Sequence, residues 1–143
     1  GQVYLAPPLD CPFKVAEESV NFLKRKTPYV LIDIHAEATS EKVALANYLD
    51  GVASAVLGTH THVATADQRI LPKGTGYITD MGMCGPLDSV LGVKKELAIQ
   101  KFITKRPVRF EIASGITEIN GVYLELDQKG SAKVINRINY RRK

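Results

Sequence analysis

The sequence predicts an α/β domain in which strands and helices alternate first and antiparallel strands follow. Short, continuously apolar runs at residues 29–34 and 53–57 are typical of strands buried on both faces of a layered α/β protein. After residue 107, strand-like segments follow one another with only short Gly-containing turns between them, as in antiparallel hairpins. This order favours an α/β sandwich with mixed sheets over a purely doubly wound fold.

The first elements are an opening strand and a helix. An apolar stretch near the N-terminus is ended by Pro7-Pro8. Pro12 suits the first position of a helix, which Asp10 or Cys11 can cap. Apolar residues recur at spacings of three or four and predict one buried helix face: Phe13, Ala16, Val20 and Leu23.

The later elements follow from turn and cap signals. Ser40 can cap a helix that runs to about Leu49, and the strand at residues 53–57 ends at Gly58. A Pro72–Gly74 turn separates two short strands, at residues 69–71 and 76–79. A helix spans residues 93–104, and Pro107 follows its end. The C-terminal strands are predicted at residues 108–113, 117–126 and 132–140.

Composition places the chain among ordinary globular proteins. Its 143 residues are 45% hydrophobic and 24% charged, with no repeat or linker, so we expect a single domain. No apolar run approaches the roughly 20 residues that cross a bilayer. The two cysteines, Cys11 and Cys84, have no metal-binding or disulfide spacing, which favours reduced thiols and a cytoplasmic location.

Charge is unevenly distributed. Residues 1–90 hold 7 Lys/Arg and 10 Asp/Glu, a net charge of −3, whereas residues 91–143 hold 12 and 5, a net charge of +7. A basic half can attract an anionic substrate or nucleic acid, although a solvated basic surface explains the same pattern. The aromatic–basic interleaving that stacks single-stranded bases is missing from the sequence.

All three histidines of the chain directly follow predicted buried strands. His35 follows the strand at residues 29–34, and His60 and His62 follow Gly58. Ligands bind at the carboxyl ends of strands in open α/β sheets, so these imidazoles are candidate ligands of Zn, Mn, Fe or Ni. Alternation along an extended segment would put His60 and His62 on one side.

Neighbouring polar residues are candidates for orienting the imidazoles through hydrogen bonds. Asp33 and Glu37 flank His35, and Thr61 lies between the other two histidines. An ordinary loop hydrogen bond is an equally good interpretation of Asp33. Asp67 and Asp80 also lie near the expected crevice, where a role as turn residues is the simpler interpretation.

At these residues the sequence resembles a known family. Residues 33–42 read DIHAEATSEK, and residues 58–63 read GTHTHV, a form of the metallophosphoesterase G-x-H-x-H motif. Further similar segments are PPLDCPF at residues 7–13, ITDMGMCGP at residues 78–86 and SVLG at residues 89–92. Together these motifs resemble the YmdB-like bacterial phosphoesterases, within the calcineurin-like superfamily, over nearly the whole chain.

The resemblance implies a four-layer αββα sandwich with a dinuclear metal site. It implies two divalent transition metals (Fe, Mn or Zn), with His35 and His60 on one and His62 on the other. Phosphoesters, including cyclic nucleotides, would be hydrolysed by attack of a metal-bridging water. Family members carry an Asp, a Glu and an Asn-His segment, including the general acid, in an N-terminal half that residues 1–143 do not contain.

Residues 1–143 are therefore expected to be the C-terminal portion of one metallophosphoesterase domain, inactive alone. The absence of an initiator Met before Gly1 agrees with this expectation. Expected partners are the N-terminal half, a phosphoester substrate and further copies in a homo-oligomer that an exposed strand edge would favour. Two alternatives stay open: a different metallohydrolase, such as a barrel amidohydrolase, and a non-catalytic module that binds RNA or protein through its basic half.

Overall fold

The computed structural model describes residues 1–4 and 9–142. Its first part contains helix α1 (Pro12–Leu23), strand β1 (Leu31–His35), helix α2 (Thr39–Tyr48) and strand β2 (Ala55–Thr59). Short strands follow, β3 (Arg69–Ile70), β4 (Gly76–Ile78) and β5 (Gly85–Pro86). The last elements are helix α3 (Lys95–Thr104) and strands β6 (Thr117–Leu126) and β7 (Ala132–Arg142).

The strands form two sheets of different character. Strands β1, β2 and β4 are parallel neighbours, β3 pairs antiparallel with β4, and the order is β1-β2-β4-β3. The second sheet, β5-β6-β7, is antiparallel throughout. The predicted α/β class, with a mixed sheet and an antiparallel C-terminal section, is confirmed. Two open sheets also argue against the barrel that an amidohydrolase requires.

Helix α1 begins at Pro12, as the proline signal predicts, and Cys11 occupies its N-cap position without a side-chain hydrogen bond. Its buried residue is Val20, and Phe13 and Ala16 pack against the core beside it. Helix α2 begins earlier than expected, because Ala38 and not Ser40 occupies the N-cap. With 12 residues, α1 is the longest described helix, and none of the described helices is long and apolar enough to cross a bilayer.

The burial prediction holds for β2 and is wrong for β1. In β2 the residues are buried or nearly so, since strands lie on both sides of it. Strand β1 lies at the sheet edge, and only Ile34 is buried, whereas Leu31, Asp33 and His35 are exposed. Periodicity does not distinguish an edge strand from a central one, because both are built from the same β-forming residues.

Two further strand predictions need correction. The segment at residues 108–113 forms only an isolated bridge between Val93 and Ile112, with hydrogen bonds to the loop before α3. Phe110 and Ile112 in this segment lie exposed. Described residues 1–4 contain no strand, and the Pro7-Pro8 end of the predicted opening strand lies outside the described residues.

Candidate metal centre

Two parallel strands bring His35 and His60 together. Strands β1 and β2 pair with Leu31 opposite Ala55 and His35 opposite Thr59, so His60 follows at the same edge of the sheet. His60 Nδ1 lies 3.0 Å from His35 Nε2, and the rings meet edge to face with centroids 4.8 Å apart. Residues 25 positions apart in the sequence thus face each other, as their places at the ends of neighbouring strands predict.

Each imidazole has an outer nitrogen, the one that does not face the other histidine, and each outer nitrogen contacts its own partner. His60 Nε2 contacts a carboxylate oxygen of Glu37. His35 Nδ1 lies 3.2 Å from Thr59 Oγ1, whose hydroxyl donates to Asp33 Oδ1 at 3.1 Å. Because the Thr59 proton is directed to Asp33, its oxygen accepts from His35 Nδ1–H. Glu37 likewise accepts from His60 Nε2–H.

These contacts select the tautomers that leave His35 Nε2 and His60 Nδ1 with lone pairs. Two lone pairs facing across 3.0 Å repel each other unless a proton or a cation lies between them. Two imidazole nitrogens on one tetrahedral metal are about 3.3 Å apart. The histidine pair therefore needs only a small separation to accept a metal ion, and Glu37 would then occupy the orienting position that carboxylates take behind metal-bound histidines.

The described residues supply only part of a complete ligand set. Among residues 1–4 and 9–142, no three His, Cys, Asp or Glu side chains are arranged to hold one metal ion. His35 and His60 fit as two ligands of a common ion, and His62 makes no hydrogen bond or ring contact with either among the described residues. Further ligands would be needed to complete normal coordination.

The loop after β2 is not extended at His60 and His62, so the strand alternation from which a common side was predicted does not apply there. Both residues have positive φ, 127° and 63°. Such conformations are costly for non-glycine residues and concentrate at functional sites, where the surrounding structure imposes them. Among the described residues, no hydrogen bond or ring contact joins His62 to His35 or His60.

A buried ion pair that the sequence interpretation missed anchors this loop. Lys42 Nζ lies 3.3 Å from Asp80 Oδ2, and both side chains are fully buried. The same carboxylate accepts the Thr61 amide at 2.8 Å and the Gly82 amide at 2.9 Å. Burial by itself would raise the pKa of Asp80, and these hydrogen bonds outweigh it and hold the pKa below its ordinary value.

A second carboxylate fixes the chain that returns from the loop. Asp67 accepts the Thr65 hydroxyl at 2.6 Å and both the amide and hydroxyl of Thr79. Burial opposes ionisation here too, yet the hydrogen bonds from Thr65 and Thr79 lower the pKa of Asp67. Asp67 and Asp80 are thus structural anchors of the loop, in agreement with their interpretation as turn residues.

Gly58 allows the loop to approach β4 closely. A Cβ atom at this position would lie 1.8 Å from the carbonyl oxygen of Thr79. Since that neighbour is backbone, no side-chain movement could make room. The glycine of the GTHTHV motif is therefore required by packing beside the histidines.

His62 lines a separate cavity of about 460 Å³. Polar residues of the β6–β7 hairpin also line it, namely Glu118, Asn120, Arg137, Asn139 and Arg141. No local pattern in the sequence points to these residues, because their common face becomes visible only once β6 and β7 pair. The Thr61 side chain donates to the Val63 carbonyl at 3.0 Å, a hydrogen bond within this loop.

Comparison with known proteins agrees with the motifs. Residues 1–138 match the family described as YmdB-like protein. The chain is 56% identical over 139 residues to a Bacillus subtilis protein named 2′,3′-cyclic-nucleotide 2′-phosphodiesterase, covering 96% of this chain and 52% of that protein. It is 46% identical over 117 residues to a Mycoplasma pneumoniae putative phosphatase/phosphodiesterase, covering 81% of this chain and 41% of that protein.

Solved structures show the same likeness. A hypothetical protein from Thermus thermophilus superposes with a TM-score of 0.89 at 43% identity, covering 100% of this chain and 55% of that one. A novel phosphatase of Mycoplasma pneumoniae superposes with a TM-score of 0.87 at 40% identity, covering 99% and 50%. The chain spans about half the length of the curated relatives it matches. It belongs to the YmdB-like protein family.

Proposed function

We propose that this chain supplies the histidine ligands of a metal-dependent phosphodiesterase that acts on cyclic nucleotides or similar phosphodiesters. One observation carries the proposal: His35 Nε2 and His60 Nδ1 face each other at 3.0 Å while partners occupy both outer nitrogens. The relative named as a 2′,3′-cyclic-nucleotide phosphodiesterase supports the choice of substrate class.

The three histidines divide into a pair and a single residue. His35 and His60 are proposed as ligands of one divalent transition metal (Fe, Mn or Zn), and the separate His62 as a ligand of the second. Two such ions would polarise a phosphate and lower the pKa of a bound water. Glu37 would orient His60 directly, and Asp33 would orient His35 through the Thr59 hydroxyl.

The remaining ligands and the general acid are proposed to come from another part of the same metallophosphoesterase domain. Three neutral imidazoles carry no charge to balance two dications, and the described residues hold no complete ligand set. Self-association is a further proposal, supported by the exposed edge of β1 and by the exposed apolar residues Ile119, Ile138 and Tyr140 on the outer face of the hairpin.

Metal content and hydrolysis together test the proposal on the complete gene product. We expect stoichiometric Mn, Fe or Zn by elemental analysis and hydrolysis of a 2′,3′-cyclic nucleotide. His35→Ala and His60→Ala should each lose metal and nearly all activity. Glu37→Gln should weaken metal binding by about 10- to 100-fold, because it removes only the orienting acceptor.

Glu111→Gln is the matched control, since Glu111 pairs with Lys94 on the exposed surface. It should leave metal content and rate unchanged. A His60→Ala protein that keeps full metal content and full rate would overturn the proposal.

A binding module remains the second candidate, and one observation favours it. Lys101, Lys105 and Arg106 line a shallow depression of about 390 Å³ after α3, within the half of net charge +7. Binding of RNA there would weaken steeply with salt. If replacing all three histidines left such binding intact and no hydrolysis were found, this second function would replace the first.

A further inference from the structure

The cavity beside His62 has one polar wall and one apolar wall. Its volume, about 460 Å³, lies in the range of small-molecule sites. The polar wall is one face of the β6–β7 hairpin, where the register places Glu118 opposite Arg141 and Asn120 opposite Asn139. Met83, Leu87 and Leu91 contribute apolar surface to the same cavity.

A hydrogen-bond network fixes the polar wall. Arg141 Nε donates to Glu118 Oε2 at 3.0 Å, and Glu118 Oε1 accepts from Asn120 Nδ2 at 3.0 Å. Asn120 Nδ2 also donates to the Met83 carbonyl, and Asn120 Oδ1 accepts from Asn139 Nδ2 at 2.9 Å. Every donor and acceptor group of the Asn120 amide is thereby engaged, which holds Asn139 in one orientation.

Asn139 ends this network with hydrogen-bonding capacity left over. One of its N–H groups donates to Asn120 Oδ1 and the amide also donates to the Glu118 carboxylate, so Oδ1 is the group that keeps hydrogen-bonding capacity among the described residues. An amide oxygen of this kind can accept a hydrogen bond from the exocyclic amino group of a base, such as N6 of adenine. Nearby, Arg137 donates one N–H to the Thr65 carbonyl and keeps others for an anionic or carbonyl group.

We propose that this cavity binds the nucleobase of a nucleotide substrate and that Asn139 reads its edge. A base is flat and apolar on its faces and polar along its rim, which matches a cavity with one apolar and one polar wall. His62 joins this cavity to the histidine loop, so a nucleotide could reach both. This inference rests on the proposed function, because it assigns a binding site to the nucleobase, the part of the substrate that lies away from the reacting phosphate.

Binding of a matched pair of ligands tests this assignment on the complete gene product loaded with Mn²⁺. Calorimetry would compare adenosine 3′-monophosphate with its abasic counterpart, 1-O-methylribose 3-phosphate. We expect wild type to bind the nucleotide about three- to tenfold more tightly, because Asn139 Oδ1 accepts a hydrogen bond from the amino group of the base. Asn139→Ala should remove this advantage and leave the abasic affinity unchanged.

Asn136→Ala is the control, since Asn136 is an exposed asparagine on the same strand and its side chain lies on the opposite face. It should bind both ligands as wild type does. Equal affinity of wild type for the two ligands, or equal behaviour of the Asn139 and Asn136 variants, would overturn the assignment.

His60→Ala separates this inference from the proposed function. If both are correct, it abolishes hydrolysis and weakens both ligands by the same factor, so their affinity ratio persists. If His60→Ala keeps full activity while Asn139→Ala still removes discrimination, the metal proposal fails and the base assignment stands.

Discussion

The parallel-sheet region, residues 12–80, and the hairpin region, residues 85–142, differ sharply in how they are stabilised. Most of the buried apolar core lies in the first region, where Val56 and Tyr77 are fully buried. In the second region the large apolar residues are mostly exposed: Phe102 is 78% and Ile112 is 82% accessible. The histidine pair lies on the well-packed region, and one wall of the cavity lies on the other. Rigid support is therefore provided at the histidine pair, whose separation must stay fixed if it holds the proposed metal.

The ion pairs of the two regions also differ in burial. Lys42 and Asp80 meet inside the first region with no exposed side-chain surface, whereas Lys94 and Glu111 meet on the surface of the second. A buried pair that loses one partner leaves an uncompensated charge in the interior, whereas an exposed pair that loses one partner leaves a hydrated charge. Substitutions that are matched in type should consequently have unequal effects in the two regions.

The largest effect is expected for Lys42→Met. It leaves Asp80 buried without its cation and should lower the free energy of unfolding by about 3–5 kcal/mol. Urea denaturation measures this, with Lys94→Met as the control that should hardly shift the midpoint. Similar midpoints for the two variants would show that the buried pair contributes no more than the surface pair.

Gly58→Ala and Gly121→Ala compare how tightly the two regions are packed around a glycine. An added Cβ at Gly58 meets the Thr79 carbonyl oxygen at 1.8 Å, whereas nothing lies within 4 Å of one at Gly121 in β6. We expect Gly58→Ala to cost about 1–3 kcal/mol or more, as overpacking does. Gly121→Ala should be neutral or slightly stabilising in thermal unfolding, and an equal loss in both would contradict this account.

Acid should destabilise the first region through its two anchoring carboxylates. Asp67 and Asp80 have pKa values below those of the unfolded chain, so their stabilising effect is fully present above about pH 4 to 5. It is lost as pH falls below about 4 and through the lower folded values. Denaturation midpoints measured between pH 7 and 2 should show this fall, and Asp67→Asn should make it shallower. An unchanged pH profile in Asp67→Asn would exclude this linkage.

The smallest effect is expected on the outer face of the hairpin. Ile138 is 42% exposed, and Ile138→Ser should change the free energy of unfolding by no more than about 0.5 kcal/mol. The corresponding loss for Val56→Ala in the first region should be several times larger. Thermal unfolding compares the two variants. If Ile138→Ser were as destabilising as Val56→Ala, the hairpin would have to be a packed core in its own right.

Much of the fold was predictable from local signals. Pro12 and a 3–4 spacing identify α1, and the apolar run ending at Gly58 identifies β2. The turn at residues 72–74 and the long antiparallel pair β6–β7 also follow from turn residues and alternation. The errors arise where tertiary context decides: residues 108–113 have strand-like composition and find no strand to pair with, and β1 is an edge strand.

The candidate site was also predictable in part, where local sequence signals decide the position of a residue. Placement of His35 and His60 after neighbouring strands needs only the rule that parallel strands end at one edge, and the structure brings them to 3.0 Å. The role of Lys42 was missed, because a lysine in a polar helix looks solvent-exposed until its burial against Asp80 is known. His60 and His62 have positive φ values in a loop that Asp80 anchors through the Thr61 amide, and no spacing rule contains such a contact.

The sequence by itself determined the α/β class, the strand ends that carry the histidines and the family to which the chain belongs. These depend on periodicity, turn residues and short motifs, all of which act over a few neighbouring residues. Only the tertiary structure decided which strand lies at the edge, how the His62 loop turns and which residues share the cavity wall. These depend on contacts between residues distant in the chain, such as Arg137 and Thr65, whose energies arise only when the chain has folded.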